Sequence, residues 1–256
     1  PGALDERRRE AALYQSLLAA DPNDSKAKEG RSVAQFRSAQ LQLEMGSASQ
    51  AVSMATRSFE GIRALQAQDP SNRLWQEIAI KAANTRAEAL MMAGDWDGAR
   101  QANEWALNSA NKLVSLDRTV ANWRTDCVLP ARWMQIAISD GMKNAPAGRV
   151  LAANFARDFA WSKDGKPSED ERFAWIMVDV LNGMHWRSIG DLGRAEASFA
   201  RAASRLPSNG ITDARLLAVA QYLNRSQQLP GLPQVAPAMA SRVRYDVGAL
   251  LNSQRG

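Results

Sequence analysis

Gly94-Asp95-Trp96-Asp97-Gly98-Ala99 and Gly190-Asp191-Leu192-Gly193-Arg194-Ala195 share their glycine, aspartate and alanine columns, and that correspondence decides how the chain is read. Half the interval between them recurs elsewhere. It separates Asp21-Pro22 from Asp69-Pro70 and Asp69 from Asp117, and equally Gly46 from Gly94, Trp75 from Trp123, and Ala51 from Ala99. A fixed period of this length signals stacked units, each a supersecondary element that buries its apolar face only against its neighbours.

Each unit reads as two antiparallel helices. The Asp-Pro element starts the first one, because aspartate accepts hydrogen bonds from free first-turn amides and proline is tolerated in that turn. Ser71 or Asn72 is placed to share the capping. The glycine then adopts the left-handed conformation that ends a helix, and Asp95 or Asp191 starts the next. On the second helix Ala99, Ala102 and Ala106 fall at i, i+3 and i+7, a face of small side chains that lets two helices approach closely. The third unit is degenerate. Its turn is expected at Asp140-Gly141, one residue out of phase, with Pro146 early in its second helix.

Composition supports an all-helical chain. The 256 residues include 45 Ala and 25 Arg, while aromatic residues are 7%, so helix formers dominate. No apolar run approaches the roughly 20 residues of a membrane-spanning helix, and the start shows no signal-peptide pattern. Pro1 stands where an initiator Met is expected, which points to a piece of a longer protein. The net charge of +5 is scattered, and the one tight basic cluster, Arg7 to Arg9, is flanked by Asp5, Glu6 and Glu10. A nucleic-acid surface requires a clustered basic stripe, so none is expected. Cys127, the single cysteine, can form neither an internal disulfide nor a cysteine metal cluster.

In the last unit Gly183, Trp186, Gly190, Ala195, Phe199, Ala202 and Pro207 stand at the spacing of the tetratricopeptide consensus. Ala87, Gly94, Asp95-Trp96, Ala99 and Ala106 repeat much of it in the second unit, and Ala39, Gly46 and Ala51 in the first. The chain therefore resembles tetratricopeptide-repeat proteins over about residues 4 to 207. The resemblance implies an all-α, right-handed superhelix of stacked helix pairs. Its 48-residue step exceeds the usual 34, so the first three units should have longer helices. The units are expected at about 21–68, 69–116, 117–165 and 167–210, after a capping helix over 1–20. A stacking helix over 211–226, a Pro-rich connector over 227–237 and a last helix over 238–256 complete the chain. That last helix either caps the superhelix or lies along its groove, and the connector is long enough to carry it there as an internal plug.

Asp69-Pro70-Ser71-Asn72-Arg73-Leu74-Trp75-Gln76 looks like the start of long units in arrays attached to bacterial Ser/Thr kinases and winged-helix regulators. This resemblance implies the sensing or interaction domain of a larger bacterial signalling protein, held in the periplasm behind a preceding membrane anchor. A free-standing cytoplasmic adaptor is the alternative reading, and a helical enzyme whose carboxylates meet only in three dimensions is a more distant one. On the leading readings the implied activity is non-catalytic binding of a protein or peptide segment, or of a small ligand, with no cofactor, metal or nucleic acid. The resemblance puts inner first-helix positions at Lys81, Asn84 and Glu88 in the second unit and at Val180, Met184 and Arg187 in the last. A change of curvature between long and short units would make a pocket there, with Gln135 and Ile138 contributed by the third unit. The set departs from the basic clamp that some family members use for a C-terminal carboxylate: Glu88 would repel that group and Val180 cannot hydrogen-bond it.

Catalytic signatures are absent from the sequence. His185 is the only histidine, which excludes a multi-histidine metal site, and no P-loop or dinucleotide-binding glycine pattern occurs. The run Glu169, Asp170, Glu171 follows Ser168, where carboxylates favour a helix N-terminus. Asp126 and Asp140 lie on one helical stretch, roughly 21 Å apart along its axis, too far to share a substrate bond. Trp75, Trp123 and Trp186 fall in repeat columns and Trp96 in the turn, so all four read as structural. Trp105, Trp133, Trp161 and Trp175 are off those columns, and any exposed one is a candidate anchor for a partner. Pro130 is expected to kink or break the helix through Asn122 to Ser139, beside Cys127.

Overall fold

A computed structural model describes residues 2–159, 167–207, 211–227 and 244–251, and every regular element among them is helical. The chain divides into two compact units, Pro1–Ala131 and Arg132–Gly256. The first carries α1 (Gly2–Ala20), α2 (Ser25–Glu44), α3 (Ala48–Gln68), α4 (Arg73–Met92), α5 (Trp96–Leu116) and the short α6 (Ala121–Trp123), which runs into a π-helical turn, Arg124–Val128. Helix α7 (Leu129–Gly141) begins in the first unit and ends in the second. That unit continues with α8 (Ala145–Asp158), α9 (Glu169–Ser188), α10 (Leu192–Ser204), α11 (Ala214–Gln227) and α12 (Val247–Leu251). No helix among the described residues is long and apolar enough to cross a membrane.

One turn closes four helix pairs. Between α2 and α3, Gly46 is left-handed with φ 72°, and the Ser47 amide donates across it to the Gln42 carbonyl at 2.8 Å. The same bond joins Asp95 to Leu90, Asn144 to Ser139 and Asp191 to Trp186, each at 2.9 Å. Each satisfies a carbonyl orphaned in the last helical turn. The donor residue also starts the next helix. Asp95 accepts from the Gly98 amide at 2.9 Å, Asn144 from Ala147 at 3.4 Å and Asp191 from Arg194 at 3.0 Å.

The third turn differs from the expectation of Asp140-Gly141. Gly141 stays helical, and Lys143 takes the left-handed place with φ 60°. The unit is out of phase by one residue in the opposite sense, and a side-chain-bearing residue does the work of a glycine. The aspartates of the repeat also act differently from the expected helix caps: they organise the links between pairs. The Asp69 carboxylate accepts from the Ser71 amide at 3.0 Å and hydroxyl at 2.6 Å, and Asp117 does the same with Thr119 at 2.9 and 2.6 Å. The true caps lie further on, where Asp24 accepts from the Lys26 and Ala27 amides and Asn72 from Trp75.

Successive pairs in the first unit are joined by a rung. Trp75 Nε1 donates to Glu29 at 2.7 Å, and Trp123 Nε1 to Glu77 at 3.0 Å, so both partners advance by the same repeat period. Within pairs the helices touch through small residues. Ala51, Ala99 and Ala195 are buried, and a Cβ on Gly183 would lie 2.6 Å from the Phe199 ring. Helix α1 ends one repeat period before α3 does and packs its Tyr14 ring against Gly30 of α2, so it occupies the place of a second helix. The second helices α3 and α5 have 21 residues each, whereas α8 has 14 and α10 has 13, so shortening begins in the third pair and not, as expected, in the fourth.

Beyond the pairs, α11 buries Leu216, Leu217, Val219, Ala220 and Leu223 as the pattern predicts. Tyr245 meets Phe173 of α9 edge-on at 6.0 Å, and Val247, Leu250 and Leu251 of α12 are buried. The expected connector lies outside the described residues apart from Gln227, which ends α11, as do Trp161 and the start of the expected last helix.

The turns make opposite predictions. No atom crowds a Cβ placed on Gly94, so Gly94→Ala is expected to cost about 1 kcal/mol from backbone conformation alone. Lys143→Gly removes that penalty and should stabilise the chain by roughly 0.5 to 1 kcal/mol, less what glycine loses in unfolded-state entropy. Urea denaturation of both variants, read against the parent, checks the pair of signs.

Candidate ligand-binding face

Glu77, Lys81, Asn84 and Glu88 recur on α4 at i, i+4, i+7 and i+11, which aligns them on one face of the helix. One repeat period earlier, on α2, the equivalents of Lys81 and Asn84 are Val33 and Phe36, so the repeat itself does not require polarity at the centre of the stripe. The outer positions are polar in both helices, Glu29 matching Glu77 and Gln40 matching Glu88. What the stripe meets is the π-helical turn. Pro130 has no amide hydrogen for the α-helical bond to residue 126, and its ring crowds that carbonyl. The chain widens by one residue instead of breaking, with the Leu129 amide donating to the Arg124 carbonyl. The expected kink is therefore absorbed as a π turn.

Two contacts bind stripe to turn. Lys81 Nζ sits between Glu77 Oε1 at 2.8 Å and Asp126 Oδ2 at 3.0 Å, while Thr125 donates to the other Asp126 oxygen at 3.0 Å. Asn84 Nδ2 donates to the Cys127 carbonyl at 3.0 Å. Burial works against the Lys81 charge, but its hydrogen bonds to the two carboxylates and their charges outweigh that cost, and its pKa lies above the ordinary lysine value. Burial pushes the Cys127 thiol up to about 12, leaving a protonated sulfur rather than a nucleophile. Asn84 is buried, and its Oδ1 has no hydrogen-bond partner among the protein groups. A buried acceptor in that state is costly to leave unmet.

The remaining expected positions have different surroundings. Glu88 is half-buried and engaged. Val180 and Ile138 are buried, Gln135 is half-buried with an unpartnered Oε1, and Arg187 is exposed with its guanidinium 5.0 Å over the Phe199 ring. Met184 accepts from the Tyr222 hydroxyl at 3.6 Å, so α11 and not the described part of the tail covers that part of α9. Of the off-column tryptophans, Trp133 and Trp175 are buried and Trp105 is half-buried. Sequence reasoning missed Glu77 and Asp126. The available signal was the spacing of Glu29 and Glu77, each the same distance before a tryptophan.

A second polar cluster lies inside the second unit. Asp140 of α7, Arg149 of α8 and His185 of α9 converge, with the Arg149 guanidinium against His185 Nε2 and no partner for His185 Nδ1. Burial, and then the Arg149 charge, hold the His185 pKa below its usual value, so the ring is neutral and accepts from arginine. Burial raises the Asp140 pKa to about 7 against the opposing pull of Arg149. Its Oδ1 would lie 2.4 Å from a Cβ on Gly148, so the glycine is what lets α8 close over it. Among the described residues no cluster of three or more histidine, cysteine or acidic side chains is placed to hold a metal ion.

No protein-family model matches the chain, and neither curated proteins nor solved structures yield a significant match.

The Asp140 environment sets a pH dependence. A raised folded-state pKa means that the carboxyl costs nothing below the unfolded value near 4 and opposes folding progressively as pH rises to about 7. The full cost above pH 7 is up to about 4 kcal/mol. Asp140→Asn should therefore raise the melting temperature at pH 8, with the gain shrinking towards pH 4.5. Thermal unfolding across that range checks the trend.

Proposed function

We propose that the chain is a non-catalytic helical-repeat scaffold that holds an extended peptide or protein segment along the polar face of α4. The observation that carries this reading is the stripe itself: Lys81 and Asn84 occupy positions that are apolar in the equivalent helix, beside a widened helical turn. An extended peptide suits the alternating charges of Glu77, Lys81 and Glu88. The shared turns and tryptophan rungs support a tetratricopeptide-like array whose first helices line a right-handed superhelical groove. Within that reading Met184, Arg187 and Gln135 are the groove positions of the later pairs, while Val180 and Ile138 are buried and face no partner. The likeness of the Asp-Pro units to arrays in bacterial signalling proteins supports placing the scaffold as a periplasmic sensing or interaction domain.

Selection of decapeptides from a displayed library, followed by calorimetric titration, tests the proposal. Selected peptides should bind the parent, lose at least about tenfold in affinity (about 1.4 kcal/mol) with Glu88→Lys, and be unaffected by Arg8→Glu on α1. Equal binding by the Glu88→Lys variant, with its melting temperature unchanged, would remove α4 as the binding face.

A further inference from the structure

The first unit has a cleft that the polar stripe does not use, about a quarter turn away around α4. It encloses about 460 Å³, within the range of small-molecule sites. Its floor is Ile80 and Leu113, each 1% exposed, next to the core formed by Ile62, Leu65 and Ala79. One wall is the half-buried Trp105, whose ring is met edge-on by Phe59 at 4.7 Å and covered by the Arg63 guanidinium at 5.0 Å. At the rim stand Arg63, Lys112 and Leu116, the last 54% exposed.

The cleft follows from a difference between two equivalent pairs. In α2–α3 the residues facing one another are Ser32 and Gly61, so close that a Cβ on Gly61 would lie 2.6 Å from Ser32 Oγ. In α4–α5 the equivalent positions, one repeat period on, are Ile80 and Ser109, and both line the cleft. Larger side chains take the place of a close approach. The charge is equally one-sided. Arg63 and Lys112 line the space and make no ion pair among the described residues, and no carboxylate among those residues lines it.

We propose that this cleft is a second binding site that takes a small carboxylate with an apolar, preferably aromatic, body. The body lies on Ile80 and Leu113 beside the Trp105 ring, and the carboxylate lies between Arg63 and Lys112 at the mouth. Neither cation then loses its hydration without a counter-charge, and the exposed Leu116 is covered. This site is independent of the peptide-binding face proposed above.

The test uses 2-naphthylacetate, its neutral primary amide and acetate as probes, read by proton–nitrogen NMR of the Trp105 indole resonance, assigned by its loss in Trp105→Phe. The aromatic acid should move that resonance saturably. The amide should bind at least fivefold more weakly and acetate should have no effect. Lys112→Gln and Arg63→Gln should each weaken the acid severalfold without changing the amide, and Glu88→Lys should leave binding of the acid unchanged, which separates this site from the α4 face. No movement of the indole resonance, equal affinity for acid and amide, or indifference to both cation substitutions would each overturn the proposal.

Discussion

A single backbone hydrogen bond, from the residue after a left-handed position to the carbonyl five positions before the donor, closes four successive helix pairs. It reverses the chain in the fewest residues, satisfies a carbonyl that the ended helix leaves open, and makes its donor the first capping residue of the next helix. Helix ends are thereby fixed to within a residue, and side chains on paired helices come into register. The approach of Gly183 to Phe199 depends on that register. So does the fit of Ala99 and Ala195 at the seams, since a pair closed one residue early would turn different side chains inward.

Register within a pair then governs contact between pairs. The Trp75–Glu29 and Trp123–Glu77 bonds form because each first helix is offset from the previous one by the same repeat period. Glu77 stands at the junction of two roles: one oxygen accepts from the Trp123 rung and the other holds Lys81 in place against Asp126. The candidate binding face is therefore continuous with the structural ladder. The cleft beside Trp105 comes from the opposite circumstance, where Ile80 and Ser109 replace the small pair that closes its equivalent.

Much of this architecture was legible in the sequence because its signals are local. Gly46, Gly94 and Gly190 mark positions where the backbone must be left-handed, and the alanine columns mark where helices must touch. Lys143 was not legible, since nothing in a lysine announces a positive φ, and the neighbouring Gly141 offered a false marker. The Asp-Pro elements were placed correctly but assigned the wrong job, because an aspartate that organises a link and one that caps a helix make the same kind of bond to an amide two or three residues on. The candidate face was half visible. Lys81, Asn84 and Glu88 came from the resemblance to tetratricopeptide repeats, whereas Asp126, Cys127 and the π turn reach them only through folding of a segment distant in the chain. Likewise no periodicity reveals that Trp105 and Lys112 share a cleft with Arg63.

Backbone amide exchange at the four turns tests the account most directly. If the shared turn is what closes each pair, the amides of Ser47, Asp95, Asn144 and Asp191 should exchange at least about a hundredfold more slowly than in an unstructured chain, with Asn144 the fastest because its turn lacks a glycine. Exchange of these amides at unprotected rates, while the helix interiors remain protected, would contradict it.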